Sequence, residues 1–253
     1  MGAIRGILSQ KLMLVVKIIA FTVLIVIMYF LGMYLRRNDP LFQIKQVYIR
    51  SSAGGNEAEN NPTKYWNLNL FQDNQIYINL GLREDLLQTN NPNRRIKSVS
   101  IENVKLSSEP SLLGTLKLYK ISTDKDKLFE YIPENQFQNR LDYFVTELKP
   151  NVYENEVGVY GGQLNFAVVN ENLLSYKYEN EEEIIYDGTL LAKANIEEKD
   201  IKFKVYFDVV LVTESNKKYI ANIEMNLTYG NILENGTEIN KNADIGKFVY
   251  SKE

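Results

Sequence analysis

Residues 201–229 read IKFKVYFDVVLVTESNKKYIANIEMNLTY, and their hydrophobic pattern has a period of two. Ile201, Phe203, Val205, Phe207, Val209 and Leu211 fall on one side, with Lys202, Lys204, Tyr206 and Asp208 on the other. After the polar SNKK at Ser215 to Lys218 the alternation resumes, with Tyr219, Ala221, Ile223, Met225 and Leu227 facing opposite Ile220, Asn222, Glu224, Asn226 and Thr228. Successive side chains of an extended chain point to opposite faces, so alternation of this length predicts two half-buried strands and argues against a helix. The short polar link makes them antiparallel neighbours with their apolar faces turned the same way. A lone hairpin is not stable in water, so strands from elsewhere in the chain must complete the core.

Working outward, the preceding 160 residues supply those strands. Gly161 and Gly162 introduce QLNFAVVN, with Leu164, Phe166 and Val168 on one face. Leu141–Leu148, Gly114–Ile121, Arg95–Leu106 and Gln75–Leu80 are further candidates, and Phe42–Arg50 is the first, although Phe42, Ile44 and Val47 do not alternate cleanly. Asp124–Phe137 reads equally as a hairpin or a helical turn. A short helix is expected around Thr189–Ala194, and single turns of structure around GLREDLLQTNNPN before Pro92. Residues 51–64, SSAGGNEAENNPTK, carry two adjacent glycines, a proline and little to bury, and are expected to form a flexible loop. Short strands separated by turns, without regularly interposed long helices, argue against a doubly wound fold. The expected fold is mainly β: an antiparallel β-sandwich, of which an immunoglobulin-like arrangement is one form, built as one large unit or two small ones over residues 65–253. In the second case NVYENEVGVYGG, near 150–162, marks the boundary.

The N-terminal region has a different character. Ile18 to Leu35 reads IIAFTVLIVIMYFLGMYL without a charge, a length that as a helix covers roughly 27 Å, enough for a bilayer core. LMLVV before Lys17 extends it, so residues 16–35 are expected to form a transmembrane helix after a short cytoplasmic N-terminus at 1–15, with 36–50 as a juxtamembrane segment and first strand. Thr22 can bond to a carbonyl one turn back, and Tyr29, Phe30 and Tyr34 suit the headgroup layer. A soluble core helix is disfavoured by the length of the run. A cleaved signal peptide is disfavoured because MYLRRNDP follows in place of a small-residue cleavage motif. MGAIRG lacks the Ser or Thr of a myristoylation signal. Arg5, Lys11 and Lys17 precede the run and Arg36 and Arg37 follow it, which leans toward a cytoplasmic N-terminus and an extracytoplasmic C-terminal domain. A chain without cysteine is compatible with export.

Charge and residue usage narrow the chemistry. Residues 1–40 hold five of the 29 basic and one of the 32 acidic side chains, which leaves 24 and 31 and a formal charge of −7 for the remainder. Such a surface does not gather nucleic acid phosphates. Without His or Cys, the Ser-His-Asp triad, the Cys-His pair and the usual zinc sites are excluded, and no phosphate-binding glycine loop is present. Asp85, Glu147 and Asp208 are candidate carboxylates for acid–base work on a glycan, but each stands alone in sequence. Asp124 with Asp126, and Glu181 to Glu183, supply carboxylates without the spacing of a calcium loop. NLT at Asn226 and NGT at Asn235 match a glycosylation triplet that has meaning only in a secretory eukaryotic host. No catalytic, cofactor or metal residue is therefore assigned.

Tyrosine is the unusual element of composition, with 17 residues against one tryptophan. Tyr77, Tyr119, Tyr143, Tyr160, Tyr176, Tyr178, Tyr186, Tyr206, Tyr219 and Tyr229 fall on predicted strands or their ends. Clustering on one exposed face would mark a binding surface, while scattering would make them ordinary edge residues. The expected function is a membrane-tethered, non-enzymatic binding or assembly module with the lipid bilayer and nearby proteins as partners. A carboxylate-dependent glycan-active enzyme and a lipid or substrate carrier are the alternatives.

Overall fold

A computed structural model describes residues 2–38, 41–61, 65–124, 126–133, 139–178, 190–227, 232–242 and 248–251. It divides into two compact units, residues 1–39 and 40–253. The first is the helix α1, Gly2–Asn38, and its window Val15–Gly32 is long and apolar enough to cross a membrane. The described side chains of that window are exposed, which is consistent with a membrane anchor. Thr22 Oγ1 donates to the Ile18 carbonyl at 2.9 Å, so its hydroxyl is satisfied within the helix.

The second unit is mainly β. In chain order its strands are β1 Phe42–Asn61, β2 Tyr65–Leu82, β3 Ile96–Ser108, β4 Thr115–Ile121, β5 Phe129–Tyr131 and β6 Arg140–Thr146. There follow β7 Glu156–Gly158, β8 Gly161–Glu171, β9 Ser175–Tyr178, β10 Phe203–Thr213, β11 Lys218–Leu227, β12 Thr237–Asn242 and β13 Val249–Ser251. Three helices of four residues, α2 Leu190–Lys193, α3 Glu198–Ile201 and α4 Ile232–Asn235, pack beside the sheet.

The hairpin predicted within residues 201–229 is β10–β11, paired antiparallel from Phe203↔Leu227 to Val212↔Lys218. Its predicted inward residues from Phe203 to Leu211 and from Tyr219 to Leu227 are all buried. Asn216 takes the left-handed backbone conformation in the turn. Ile201 departs from the pattern: it closes α3 and packs in a different cluster from Phe203.

Ten strands follow one hydrogen-bonded path, β12-β1-β2-β8-β7-β6-β3-β10-β11-β13, with β4 and β9 branching from β8 and β2 and β5 continuing from β4. The described pairs are antiparallel except β6–β7, which is parallel. Phe166 of β8 meets Phe207 of β10 edge to face at 5.2 Å, although β7, β6 and β3 lie between them along the path. Phe42 of β1 reaches Tyr219 of β11 at 5.9 Å in the same way. The sheet is therefore curled into a half-barrel around one core, whereas a sandwich of two separate sheets was expected; the short β6–β7 pair joins the halves. The stretch 150–162 lies inside this single unit, tied to it by Leu82 N donating to Tyr160 O and Ile96 N donating to Val159 O. Gly161, with φ 127°, turns the chain there so closely that an added Cβ would lie 2.3 Å from the Leu80 carbonyl oxygen.

The flexible loop expected at 51–64 is also corrected. β1 runs through Asn61 and pairs with β2 down to Asn61↔Tyr65; residues 62–64 lie outside the described ones. The two glycines are strand residues whose missing side chains are replaced by neighbours. A Cβ on Gly54 would meet the Phe71 ring at 2.6 Å. The imperfect alternation of Phe42, Ile44 and Val47 has a cause as well: a register shift between Ile44 and Gln46 inserts a bulge, and Phe42, Ile44, Val47 and Ile49 are all buried. The ambiguous segment after Asp124 forms a hairpin, since β5 pairs with β4.

Two apolar clusters fill the interior. The larger spans both halves of the sheet, and the smaller gathers Leu68, Leu70, Leu173, Leu190, Leu191, Ile196, Ile201 and Ile232 under the short helices. Fully buried Ser51, Gln72, Asn74 and Asn170 occupy the inward face of the same strands. Ser51 Oγ donates to Asn74 Oδ1 at 2.6 Å and Asn74 Nδ2 to the Val168 carbonyl at 3.2 Å, whereas the buried Gln72 Oε1 and Asn170 Oδ1 have no hydrogen-bond partner among the described residues.

Candidate binding face

The inward set of β2 fixes its outward set by parity: Phe71, Asp73, Gln75 and Tyr77 point away from the core. Strand register then extends this face across the sheet in rows. Tyr48, Tyr77 and Asn165 form one row. Arg50, Gln75, Ala167, Tyr119 and Tyr131 form the next, and Ser52, Asp73, Val169 and Lys117 a third. Tyr48 and Tyr77 are 5.1 Å apart between ring centres, Tyr119 and Tyr131 5.7 Å, as cross-strand aromatic neighbours should be. Four tyrosines thus share one face.

Polar groups link the rings. Tyr77 Oη donates to Gln75 Oε1 at 2.7 Å, and Gln75 Nε2 donates to Asp73 Oδ2 at 2.8 Å. Tyr119 Oη donates to Glu171 Oε1, while Lys117 Nζ lies 2.6 Å from Glu171 Oε2 and 4.8 Å from the centre of the Tyr131 ring. The two carboxylates respond in opposite directions. Burial pushes the Asp73 carboxyl above its usual range, against the Gln75 hydrogen bond and the more distant Arg50. Burial also acts to raise Glu171, but the hydrogen bonds from Lys117 and Tyr119 outweigh it and hold the group below the usual range. Tyr119 is pushed up by burial and by its bond to Glu171, so its phenol stays protonated.

Asp73 and Glu171 line the same cleft, about 390 Å³, together with Asn56, Asn69, Phe71, Gln75, Tyr119, Phe129, Val169 and Asn172 among others. Because Asp73 pairs with Val169, Glu171 is its diagonal neighbour on the same face, at a spacing of roughly 7–8 Å for such pairs. A larger hollow of about 1110 Å³ adjoins it, and Lys127 and Leu128 line both. This hollow opens where β4–β5 and β6–β7 diverge from β8, and it exposes Phe144 and Tyr153.

The carboxylates singled out in the sequence stand elsewhere. Asp85 pairs with Arg83 at 2.5 Å in an exposed turn. Glu147 and Glu214 both hold the buried Arg95, which also lies under the Tyr160 ring. Asp208 accepts from Asn103 at 2.7 Å and from Asn222 at 2.5 Å beside Tyr206, on the outward face of β10–β11. The structure brings none of these three together. Asp124 Oδ1 accepts from the Asp126 amide in a turn, and Glu181 to Glu183 lie outside the described residues.

The predicted tyrosines divide. Tyr77 and Tyr119 join the face; Tyr143 and Tyr219 enter the core, with Tyr143 Oη donating to the Asn165 carbonyl. Tyr160 Oη donates to the Thr89 carbonyl and Tyr206 Oη to Glu224. Tyr176 is half-buried beside the smaller core. Tyr178 lies on β9, and Tyr186 and Tyr229 fall outside the described residues. Sequence reading missed Asp73, Glu171, Tyr48 and Tyr131. The period-two signal that places Asp73 beside Tyr77 was present in FQDNQIY, but the buried Gln72 and Asn74 break the apolar alternation that would have announced it.

Comparison with protein-family models, curated proteins and solved structures found no match to this chain.

Proposed function

We propose that this chain is a membrane-tethered, non-enzymatic binding or assembly module, an accessory of an envelope complex or a surface protein, that engages its partner through the tyrosine face of the curled sheet. The observation that carries the reading is the gathering of Tyr48, Tyr77, Tyr119 and Tyr131 on one face beside two adjoining clefts. Tyrosine supplies large, rigid, amphipathic contact area at small entropic cost, which is why such clusters suit recognition. The apolar helix provides the tether, and the charge bias around it favours the domain on the extracytoplasmic side. A reporter fused after Glu253 that works only in the cytoplasm would overturn that orientation.

The test is co-purification from mild detergent of the full chain against a Tyr77→Ser/Tyr131→Ser variant. Wild type is expected to retain a partner or a second copy of itself that the variant loses. A wild-type chain that emerges alone and monomeric refutes the proposal.

A second reading, a carboxylate-dependent enzyme acting on glycans, draws support from Asp73 and Glu171. They share a cleft, and their environments push their proton affinities apart, as an acid–base pair requires. The carrier reading has less in its favour, because charged and amide side chains line these clefts and suit a polar occupant better than an acyl chain.

A further inference from the structure

Three features stand out beyond the tyrosine face itself: the buried polar side chains of Ser51, Gln72, Asn74 and Asn170, the hollow where the sheet divides, and the Asp73–Glu171 cleft. The buried polar groups bond in part to one another and to backbone; among the described residues Gln72 Oε1 and Asn170 Oδ1 keep no partner, and no cleft opens onto them. The hollow is wide, and its charges are distributed without a focus. The cleft is the most specific. Its walls combine flat apolar rings, Phe71, Tyr119 and Phe129, with carboxylates and carboxamides that both donate and accept.

We infer that the cleft between Asp73 and Glu171 is a saccharide-binding site, a conclusion that deepens the binding-face reading and rests on it. Three properties select this ligand class. The rings of Phe71, Tyr119 and Phe129 in the lining supply apolar surface against which the C–H side of a pyranose can pack, the usual apolar half of sugar recognition. The carboxylates and amides of Asp73, Gln75, Asn69 and Asn172 offer paired acceptors and donors of the kind that adjacent hydroxyls require. The charges are of both signs: Asp73, Glu171 and Lys127 line the cleft and Lys117 lies 2.6 Å from Glu171, which suits a neutral ligand better than an ion.

The geometry of Asp73 gives the site its anchor. Gln75 donates to Oδ2, and among the described residues no group donates to Oδ1, which leaves one carboxylate oxygen for a ligand hydroxyl. Glu171, held by Lys117 and Tyr119, is already fixed in place, so binding loses little further side-chain freedom there. Val169 lies between Asp73 and Lys117 in its row and lines the cleft between them. At about 390 Å³ the cleft is near the lower end of small-molecule sites, suited to one or two sugar rings, with further rings extending into the adjoining hollow.

The experiment is isothermal titration of the full chain in lipid nanodiscs with three neutral tetrasaccharides: β-1,4-linked N-acetylglucosamine, α-1,4-glucose and β-1,4-glucose. At least one is expected to bind saturably. Asp73→Asn and Phe129→Ala are each expected to weaken it tenfold or more while far-UV circular dichroism stays unchanged. Failure of all three sugars to bind at 5 mM overturns the proposal, as does binding that both variants leave intact. If the tyrosine variant still loses its protein partner while no sugar binds, the binding-face reading survives and the saccharide inference falls. Release of reducing ends from a bound sugar supports the ligand class and moves the function to the enzyme reading.

Discussion

The curled sheet makes a quantitative demand on two phenylalanines that are 41 residues apart in sequence. Phe166 on β8 is fully buried and Phe207 on β10 almost so, and they meet at 5.2 Å with their planes 81° apart. Replacing either with leucine removes part of a buried ring and leaves a small cavity, a loss of about 1–2 kcal/mol each by the usual transfer and cavity terms. An edge-to-face pair contributes roughly 0.5–1.5 kcal/mol beyond its buried area, and either substitution alone abolishes that part. The double variant Phe166→Leu/Phe207→Leu should therefore lose about 1 kcal/mol less than the sum of the singles.

Urea unfolding of residues 40–253, followed by far-UV circular dichroism, reads this directly. With a slope near 2 kcal/mol per molar, a coupling of about 1 kcal/mol moves the midpoint of the double variant by roughly 0.5 M from the additive value. Additivity within about 0.3 kcal/mol would mean that the rings do not touch and that the two halves of the sheet do not share a core.

The two carboxylates of the cleft should respond to neutralisation with opposite signs. Asp73 is held above its unfolded value, so its charged form opposes folding: Asp73→Asn should raise the melting temperature at pH 7, with the gain fading as the pH falls through the folded value toward about 4. Glu171 is held below its unfolded value, so it stabilises above about pH 4.3, and Glu171→Gln should lower the melting temperature at pH 7 by an amount that vanishes in stronger acid. Shifts of the same sign in both variants would contradict the hydrogen bonding described. Gly161→Ala should destabilise by about 3 kcal/mol in a urea titration, since its φ of 127° is disfavoured by any side chain and the added Cβ would press on the Leu80 carbonyl; a variant of wild-type stability would mean that the chain turns there differently.

Much of the fold was legible because alternation was intact where strands bury one clean apolar face. β10, β11, β3, β4, β6 and β8 were all placed from sequence, most of them with ends displaced by only a few residues, as were the antiparallel hairpin and the apolar helix. The errors arose where another physical effect interrupts that signal. In β1 a bulge shifts the parity by one residue, and Gly54 and Gly55, which ordinarily announce a loop, serve as space beneath the side chains of Phe71, Leu68 and Leu70. In β2 the amides of Gln72 and Asn74 occupy core positions, so the strand was recognised only from Gln75 onward and Asp73 was lost with its first half. The curl was not legible at all. It depends on which strand ends pair across β6 and β7, and these contacts have no periodic signature.

The same omission explains why the candidate site lay hidden, and it bears on what the site is for. Nothing in the fold requires an acid at position 73: the inward face of β2 is complete without it, and asparagine would fill the same volume without the desolvation that raises its proton affinity. Glu171 differs, because Lys117 and Tyr119 compensate it and it ties β4 to β8. One carboxylate is thus explained by its partners, and the other is desolvated by burial that its hydrogen bond from Gln75 only partly offsets. Local rules are broken where a site needs them broken. Of the two acids that share the cleft, Asp73 is therefore the one whose presence calls for a ligand, and its open Oδ1 is the atom at which that ligand should be sought.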